Sequence, residues 1–527
     1  MPKRFNITGV CIPELHYMVN IEKRIDRIVR DYITNGSYFT INRARQFGKT
    51  TTLYLLEKRL KEQYTVIRLS FEAADELFRS MDIFARGLIR NIRRELKLQG
   101  AAPALIDAWS QPVSSEFPFH DLSDRITDLC TSNAKKIILM IDEVDKSSDN
   151  QIFLSFLGLL RNKYLDQQQQ RDATFHSVIL AGVYDVKNLK LKLHPGDESK
   201  YNSPWNVAAD FTMDLSFRPD DIAGMLAAYE NDCHTGMDIP AFAQWLYDYT
   251  DGYPYMVSRL CMLIDEQVAG SDDFPLQKDA WTKEGFLKAV RIFLQDSNTL
   301  FDDVVKTLEQ YPLLKDRMKD ILFRGTRYSF ENSSPIINMG VMFGFLKNMD
   351  GSVAIANRIF ETKLYNLFLS EDELASASLP ESWDGKNQFI VHGMLQMKLV
   401  MEKFFEYFVE ICGNADEKFI ENEGRRIFLM YLRPIINGAG NYYIEAQTRD
   451  RTRTDVIVDY RGQRFIVELK LWRGNAYHKR GERQLLSYLD YYNEDTGYLL
   501  SFNFNKKKQT GMHEILLDGK KILEVVV

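Results

Sequence analysis

Cysteine is scarce in this chain. Cys11, Cys130, Cys233, Cys261 and Cys412 are the five in 527 residues, and they form no C-x-x-C pair and no cluster with histidine. That excludes a zinc ribbon or a disulfide scaffold and leaves small buried hydrophobes in a reducing compartment. Long hydrophobic runs are missing too: no stretch approaches the roughly 18 apolar residues that span a bilayer. The opening MPKRFNITGV lacks the apolar core of a secretory signal, so the expected setting is the cytoplasm, with no membrane partner. A positive balance is also absent. The formal net charge is −6, so the molecule as a whole does not advertise nucleic-acid binding. What is present is 45% hydrophobic and 27% charged residues, a globular composition that can bury large cores. The length predicts about three domains at roughly 150 residues each.

A glycine is missing where it matters most. The chain reads Ile41–Thr52 as INRARQFGKTTT, between a strand-like run at Ser37–Ile41 and an amphipathic helix carrying Leu53, Leu56 and Leu60. Strand, tight loop and a helix opening on Gly48-Lys49-Thr50 is the context of a phosphate-binding loop. The pattern G-x-x-x-x-G-K-S/T would place its first glycine at position 43, where this chain has Arg43. The rest of the chemistry is intact. A helix N-terminus offers unpaired N–H groups and partial positive charge to phosphate oxygens. Lys49 would reach the β- and γ-phosphates, and the Thr50 hydroxyl would ligate Mg²⁺. Arg45, Gln46, Phe47, Gly48 and Thr51 complete the candidate nucleotide cradle.

The second half of such a site lies about 90 residues on. Ile137–Ile141 is an apolar run bounded by Lys136 and by Asp142-Glu143. It fits a buried parallel strand with its acids at the carboxyl end, where open α/β sheets place their chemistry. Asp142 would hold Mg²⁺ and Glu143 would polarise the attacking water. Tyr17 and Met18, in the lead-in to the first helix, are candidate contacts to the base. Tyr184 and Asp185, after the strand-like Phe175–Val183, are candidate sensors of the γ-phosphate. ATPases with such a site often take an arginine from a neighbouring subunit; Arg161, Arg218 and Arg259 are the candidates here, and a homo-oligomer is the expectation that goes with them.

The segments HYMV, YFTINRARQFGKTTTL, ILMIDEVDK, ILAGVYDV and DGYP together resemble the bacterial AAA-like ATPases, near the signal-transducing NTPases, over roughly residues 10–370. The resemblance implies a P-loop parallel-sheet core at 1–214, a helical lid and winged helix at 215–372, and ATP as ligand. It also implies that Arg43 belongs to an Arg-rich variant of the loop and that Pro254 approaches the nucleotide.

Residues 373–393 read as a polar linker, and 394–527 as a separate α/β domain. In it, Asp455–Tyr460 and Arg464–Leu469 alternate as strands about the tight turn Arg461-Gly462. Glu468 and Lys470, two apart, face one side of a strand, with Asp455 in reach across the hairpin. Asp455 and Glu468 could hold Mg²⁺ or Mn²⁺, with Lys470 stabilising developing negative charge. Both carboxylates are expected at exposed positions. Between Arg449 and Arg483 stand ten Lys/Arg against five acids, a basic surrounding suited to a phosphate backbone.

Asp455, Glu468, Lys470 and the later Gln484-x-x-x-Tyr488 resemble the PD-(D/E)xK nuclease superfamily over roughly residues 395–510. That resemblance adds a helix acid, Glu423 with Glu421 in reserve, and a restriction-endonuclease-like fold. The combined expectation is an ATP-binding and ATP-hydrolysing regulator coupled to a Mg²⁺-dependent nuclease. Its partner would be nucleic acid, DNA favoured over RNA, in a defence or mobile-element setting. The alternative is a nucleotide switch whose C-terminal domain only binds nucleic acid or a protein.

Overall fold

The structure is a computed structural model, and it describes residues 3–114, 116–144, 151–183, 205–324, 326–331, 333–375, 389–412, 421–436, 440–444, 456–472, 475–504 and 510–527. The chain divides into two compact units. One is Met1–Ala289 with Asn332–Gly344, the other Val290–Glu331 with Phe345–Val527.

In the first unit, Arg4–Phe5 (β1) and His16–Tyr17 (β2) form a short parallel pair. The main sheet follows: Phe39–Asn42 (β3), Thr65–Ser70 (β4), Ile137–Asp142 (β5) and Ser177–Gly182 (β6), all parallel, in the order β3-β6-β5-β4. The β5 and β6 strands are buried at every position. That is why they read as unbroken apolar runs rather than alternating ones. The helices are Glu22–Ile28 (α1), Lys49–Leu60 (α2), Met81–Leu98 (α3), Pro103–Ala108 (α4), Pro118–Ser132 (α5) and Gln151–Gln168 (α6). Pro103 and Pro118 each begin a helix, where a missing N–H costs nothing; the sequence predicts a helical region over roughly 75–133 broken around Gly100–Pro103 and Pro112–Pro118, and it divides there. One core joins α3, α5 and α6 to the sheet, with Phe84, Leu88, Ile92, Trp109, Phe153, Phe156 and Trp205 all buried.

Three further helices of this unit, Pro219–Cys233 (α7), Ile239–Thr250 (α8) and Pro254–Leu263 (α9), each carry proline in their first two positions. The Asp221 carboxylate accepts the Arg218 N–H at 2.9 Å at the start of α7, the acid in the first turn that the sequence leads one to expect.

In the second unit, Leu346–Met349 (β7) and Ser352–Ile355 (β8) form an antiparallel wing. The sequence predicts the first wing strand over Gly340–Leu346. Instead, Pro335–Met342, which belongs to the first unit, is a helix, and the chain turns at Gly344, φ 77°, before β7 starts. Short strands Ile390–Val391 (β9) and Met394–Leu395 (β10) precede the helix Met397–Cys412, which the sequence pattern extends back to Met394.

The large sheet comprises Gly440–Ile444 (β11), Val456–Tyr460 (β12), Gln463–Leu471 (β13), Thr496–Phe502 (β14), Gly511–Leu517 (β15) and Lys520–Val526 (β16), in the order β11-β12-β13-β14-β16-β15. The β13-β14-β16 centre is parallel and the edges are antiparallel. The turn at Arg461-Gly462 takes φ values of 49° and 83°, the two left-handed positions a tight hairpin needs. The helix Asn475–Tyr492 makes the crossover from β13 to β14. Among the described residues no helix is long and apolar enough to cross a membrane.

Candidate nucleotide site and C-terminal polar cluster

The carboxyl ends of β3, β6 and β5 lie side by side, and the first site is built on them. The loop leaving β3 runs through Gln46, held at φ 57°, to Gly48 at φ 79°, which caps α2. Lys49, buried as the first residue of α2, donates from Nζ to the Arg43 carbonyl at 2.9 Å and the Ala44 carbonyl at 3.0 Å. An ammonium kept inside the loop, at a helix N-terminus, is a charge a phosphate can compete for.

Arg43 shows why a non-glycine residue is tolerated there. Its guanidinium donates to the Met213 carbonyl at 2.5 Å and the Asn42 carbonyl at 2.8 Å, and lies over the Phe211 ring at 5.5 Å. Burial pulls this guanidinium below its ordinary pKa, against the opposing pull of Asp214 and Tyr32. The backbone of Arg43 stays in loop geometry, its N–H on the Gly182 carbonyl at 3.2 Å. The side chain ties the loop to the backbone at Met213.

Asp142 is buried at the end of β5, and its Oδ1 accepts the Glu143 N–H at 3.0 Å. Glu143, half-buried, sits at φ 57°, a left-handed conformation that a non-glycine residue adopts at a cost and that concentrates at functional sites. Thr50 is half-buried in the first turn of α2. The Thr51 hydroxyl accepts the Cys11 N–H at 3.1 Å and ties the N-terminal lead-in to α2.

Tyr253 is the contact that sequence reasoning missed. Its hydroxyl donates to the Arg45 carbonyl at 2.5 Å, and its ring meets Phe47 edge-on at 4.8 Å. The turn that delivers it depends on Gly252. That residue has φ 70°, and a Cβ there would lie 1.9 Å from the Phe217 carbonyl oxygen. Pro254 follows as the buried first residue of α9. Thus the D-G-Y-P turn fixes Tyr253 against the loop, and the signal for it was the same four letters that pointed to Pro254.

Tyr17 is buried. Its hydroxyl bonds Asp232 at 2.9 Å and its ring packs on Phe5 and Tyr229; Met18 is half-buried. Arg161 donates to the Asn206 side chain at 2.8 Å, Arg259 lies within α9, and Arg218 is the exposed member of the three candidate arginines. Tyr184 and Asp185 lie outside the described residues.

In the second unit, Lys470 Nζ and Glu468 Oε1 are 2.7 Å apart on β13. Both are buried, Glu468 with none of its side chain exposed. This corrects the expectation of an exposed carboxylate. The β13 strand runs between β12 and β14. The helix Asn475–Tyr492 covers it so closely that a Cβ on Gly481 would lie 3.1 Å from Lys470 Cγ. Gln484, half-buried, and Tyr488, buried, share that helix face at three- and four-residue spacing.

Three polar residues missed by the sequence reading lie on the same sheet and helix. The Ser501 hydroxyl, on β14 opposite Lys470, donates to Glu524 Oε1 at 3.2 Å. His478 Nε2 lies 3.2 Å from Glu524 Oε1 and 3.5 Å from Glu482 Oε1. The Glu524 hydrogen bond raises the His478 pKa above its ordinary value, against burial. A lone glutamate inside the apolar KILEVVV strand was the available signal. Asp455 lies outside the described residues. Glu421 and Glu423 fall in the first turn of the helix Glu421–Ile436, with side chains outside the described set. Among the described residues no group of three or more His, Cys, Asp or Glu gathers as a metal-ligand set.

Comparison with known proteins bears on the first unit most directly. The sequence profile of the AAA-like domain family matches residues 13–356. Similar solved structures include a Walker-type ATPase of Pyrococcus abyssi, at 14% identity and TM-score 0.45, covering 68% of this chain and 99% of that one. Another is the Aeropyrum pernix ORC2 protein in its ADPNP–ADP complexes, at 12% identity and TM-score 0.36, covering 68% and 95%. A third is the Thermotoga maritima RuvB protein, at 11% identity and TM-score 0.32, covering 64% and 92%. No curated protein matches the chain. With its phosphate-loop geometry and with well over half its length matched, the chain belongs to the AAA-like domain family.

Proposed function

We propose that the first unit binds and hydrolyses ATP. One observation carries this reading: buried Lys49 holds the Arg43 and Ala44 carbonyls at the N-terminus of α2, where bound phosphate would take the ammonium over. The residues fit the ligand. Lys49 and the N–H groups opening α2 would hold phosphates, Thr50 and Asp142 would hold Mg²⁺, and Glu143 would orient water. The nucleotide, when bound, supplies the phosphoanhydride to be cleaved. Of the lead-in residues, Met18 has surface to offer a base, whereas the Tyr17 hydroxyl is committed to Asp232. Arg218, exposed at the start of α7, is the arginine we assign to a neighbouring copy. The test is ATP titration and turnover of wild type against Lys49→Ala and Glu143→Gln. Wild type should bind and turn over, Lys49→Ala should not bind, and Glu143→Gln should bind and stall. Equal affinity in wild type and Lys49→Ala overturns the reading.

For the C-terminal sheet we propose a metal-dependent nuclease. The reading is supported by the Glu468–Lys470 pair on the central strand β13 and by the helix that brings Gln484 onto the same face. Asp455, Glu468 and the helix acid Glu423 would be its carboxylates, Mg²⁺ or Mn²⁺ its metal, and nucleic acid its substrate. A cleavage panel of single- and double-stranded DNA and RNA, with and without metal and ATP, tests it. The competing outcome is nucleic-acid binding without cleavage.

A further inference from the structure

The α3 helix has two faces with different tasks. Phe84, Leu88, Ile89, Ile92 and Leu96 are buried in the core of the first unit and fix the helix in place. Arg90, Arg93, Arg94 and Lys97 recur at i, i+3, i+4 and i+7 on the opposite side, one stripe about 10 Å long at 1.5 Å per residue. These four cations, with Asn91 and Ser110, line a cavity of about 560 Å³. Leu77 and Ile106 give it an apolar wall. None of the residues lining it is acidic.

The cations in this cavity find no acid among the residues that line it with them, although the Arg94 charge acts on the carboxyl of its sequence neighbour Glu95. Arg86, one turn earlier, is paired with Asp82. Arg93 donates to the neutral Ser110 hydroxyl at 3.1 Å. The side chains of Arg90, Arg94 and Lys97 make no hydrogen bond or ion pair with any described residue. Glu95, the acid adjacent in sequence, does not line the cavity. Like charges three and four apart oppose helix formation, and the chain carries more acids than bases. A face that only had to stay solvated would alternate its signs.

We propose that this cavity is a phosphodiester-binding site that takes the backbone of a nucleic-acid strand. Four cations in a line suit successive phosphates rather than a single converging anion. Arginine forks match phosphate oxygens two at a time, and the Leu77–Ile106 wall suits a sugar face. The contact carries no base readout, so binding is sequence-independent and steeply salt-dependent. None of its lining residues belongs to the ATP site or to β13, and it stands whether or not either activity does.

The test uses the full chain in EDTA without ATP. Fluorescence anisotropy follows labelled single-stranded DNA, RNA and duplex DNA of about 30 nucleotides between roughly 50 and 200 mM salt. Wild type should bind at least one of these strands. The triple variant Arg90→Glu/Arg94→Glu/Lys97→Glu should raise Kd at least about thirtyfold, and its plot of log K against log salt should be shallower by about two to three. The milder Arg90→Gln/Arg94→Gln/Lys97→Gln should fall between, and an unchanged melting temperature in it shows that folding is intact. Unchanged Kd and slope in both variants overturn the proposal, as does wild type failing to bind any strand at the lowest salt. A cavity that takes inorganic pyrophosphate but is not competed by any strand also overturns it.

Discussion

The Tyr253 hydroxyl donates to the backbone carbonyl of Arg45 at 2.5 Å, across 208 residues of sequence. This bond fastens the phosphate loop to the turn that starts α9. Tyr253→Phe keeps the ring against Phe47 and removes only the hydroxyl. A neutral hydrogen bond is worth about 0.5–1.5 kcal/mol net. Because the bond is made without ligand, its loss should lower the melting temperature of the ligand-free chain by a few degrees at most, and the loosened loop should lower ATP affinity by a factor of up to about 10. Titration calorimetry reads this directly, and an affinity equal to wild type removes Tyr253 from the site.

Lys49→Ala should do two things at once. Nucleotide binding should vanish, because the phosphates lose their cation. The ligand-free chain should also melt earlier, because the carbonyls of Arg43 and Ala44 lose a charge-assisted donor, worth about 1.5–3 kcal/mol. Lys49→Met, which keeps most of the stem, should lose binding to the same extent. Differential scanning fluorimetry with and without ATP separates the two effects. A variant whose melting temperature still rises with ATP contradicts the assignment.

Much of this architecture was legible in the residues. The strand–loop–helix at Phe39–Leu60 and the apolar run ending at Asp142-Glu143 follow from local pattern, and the structure has both. Arg43 could not be read from pattern alone, because its tolerance depends on Met213 and Phe211, distant in sequence. Tyr253 is hidden for the same reason. The wing strand slipped because NMGVMFGFL is apolar without a period, so helix and strand are indistinguishable until Gly344 turns the chain. Glu468 was misjudged because alternation assumes one wet face. A strand flanked on both sides and covered by a helix has none, and charge survives there by pairing with Lys470.

His478 should make stability pH-dependent in a defined direction. Its hydrogen bond to Glu524 raises its pKa above the ordinary value of about 6.5. The folded state therefore holds the proton more tightly than the unfolded one. The stabilisation is complete below the unfolded pKa and is lost as pH rises through the raised folded value. His478→Gln should be less stable than wild type at about pH 5.5, and the gap should narrow by about pH 8.5. Thermal melts of both proteins across this range check the sign. A gap that widens with pH shows that His478 is not protonated against Glu524.

The Glu468–Lys470 pair calls for a different kind of test, because the two residues are both functional candidates and parts of a core. Glu468→Ala removes a buried carboxylate and leaves the Lys470 ammonium buried beside it. Breaking a buried pair in this way typically costs about 3–5 kcal/mol. Lost cleavage in that variant would therefore mean little, since the domain itself would be weakened. Glu468→Gln keeps the volume and an acceptor for Lys470 while removing the charge a metal needs, and it should cost less stability than Glu468→Ala. If the nuclease reading holds, Glu468→Gln should melt closer to wild type yet lose cleavage by about a hundredfold or more, as removal of a metal-polarising group does. Asp455→Asn should match it in activity. ATP turnover should be unchanged in both, because Lys49, Asp142 and Glu143 belong to the other unit. The readouts are an EDTA-sensitive cleavage assay and a thermal melt on the same preparations. Wild-type cleavage by Glu468→Gln at matched Mg²⁺ would leave Glu468 as the structural partner of Lys470 alone.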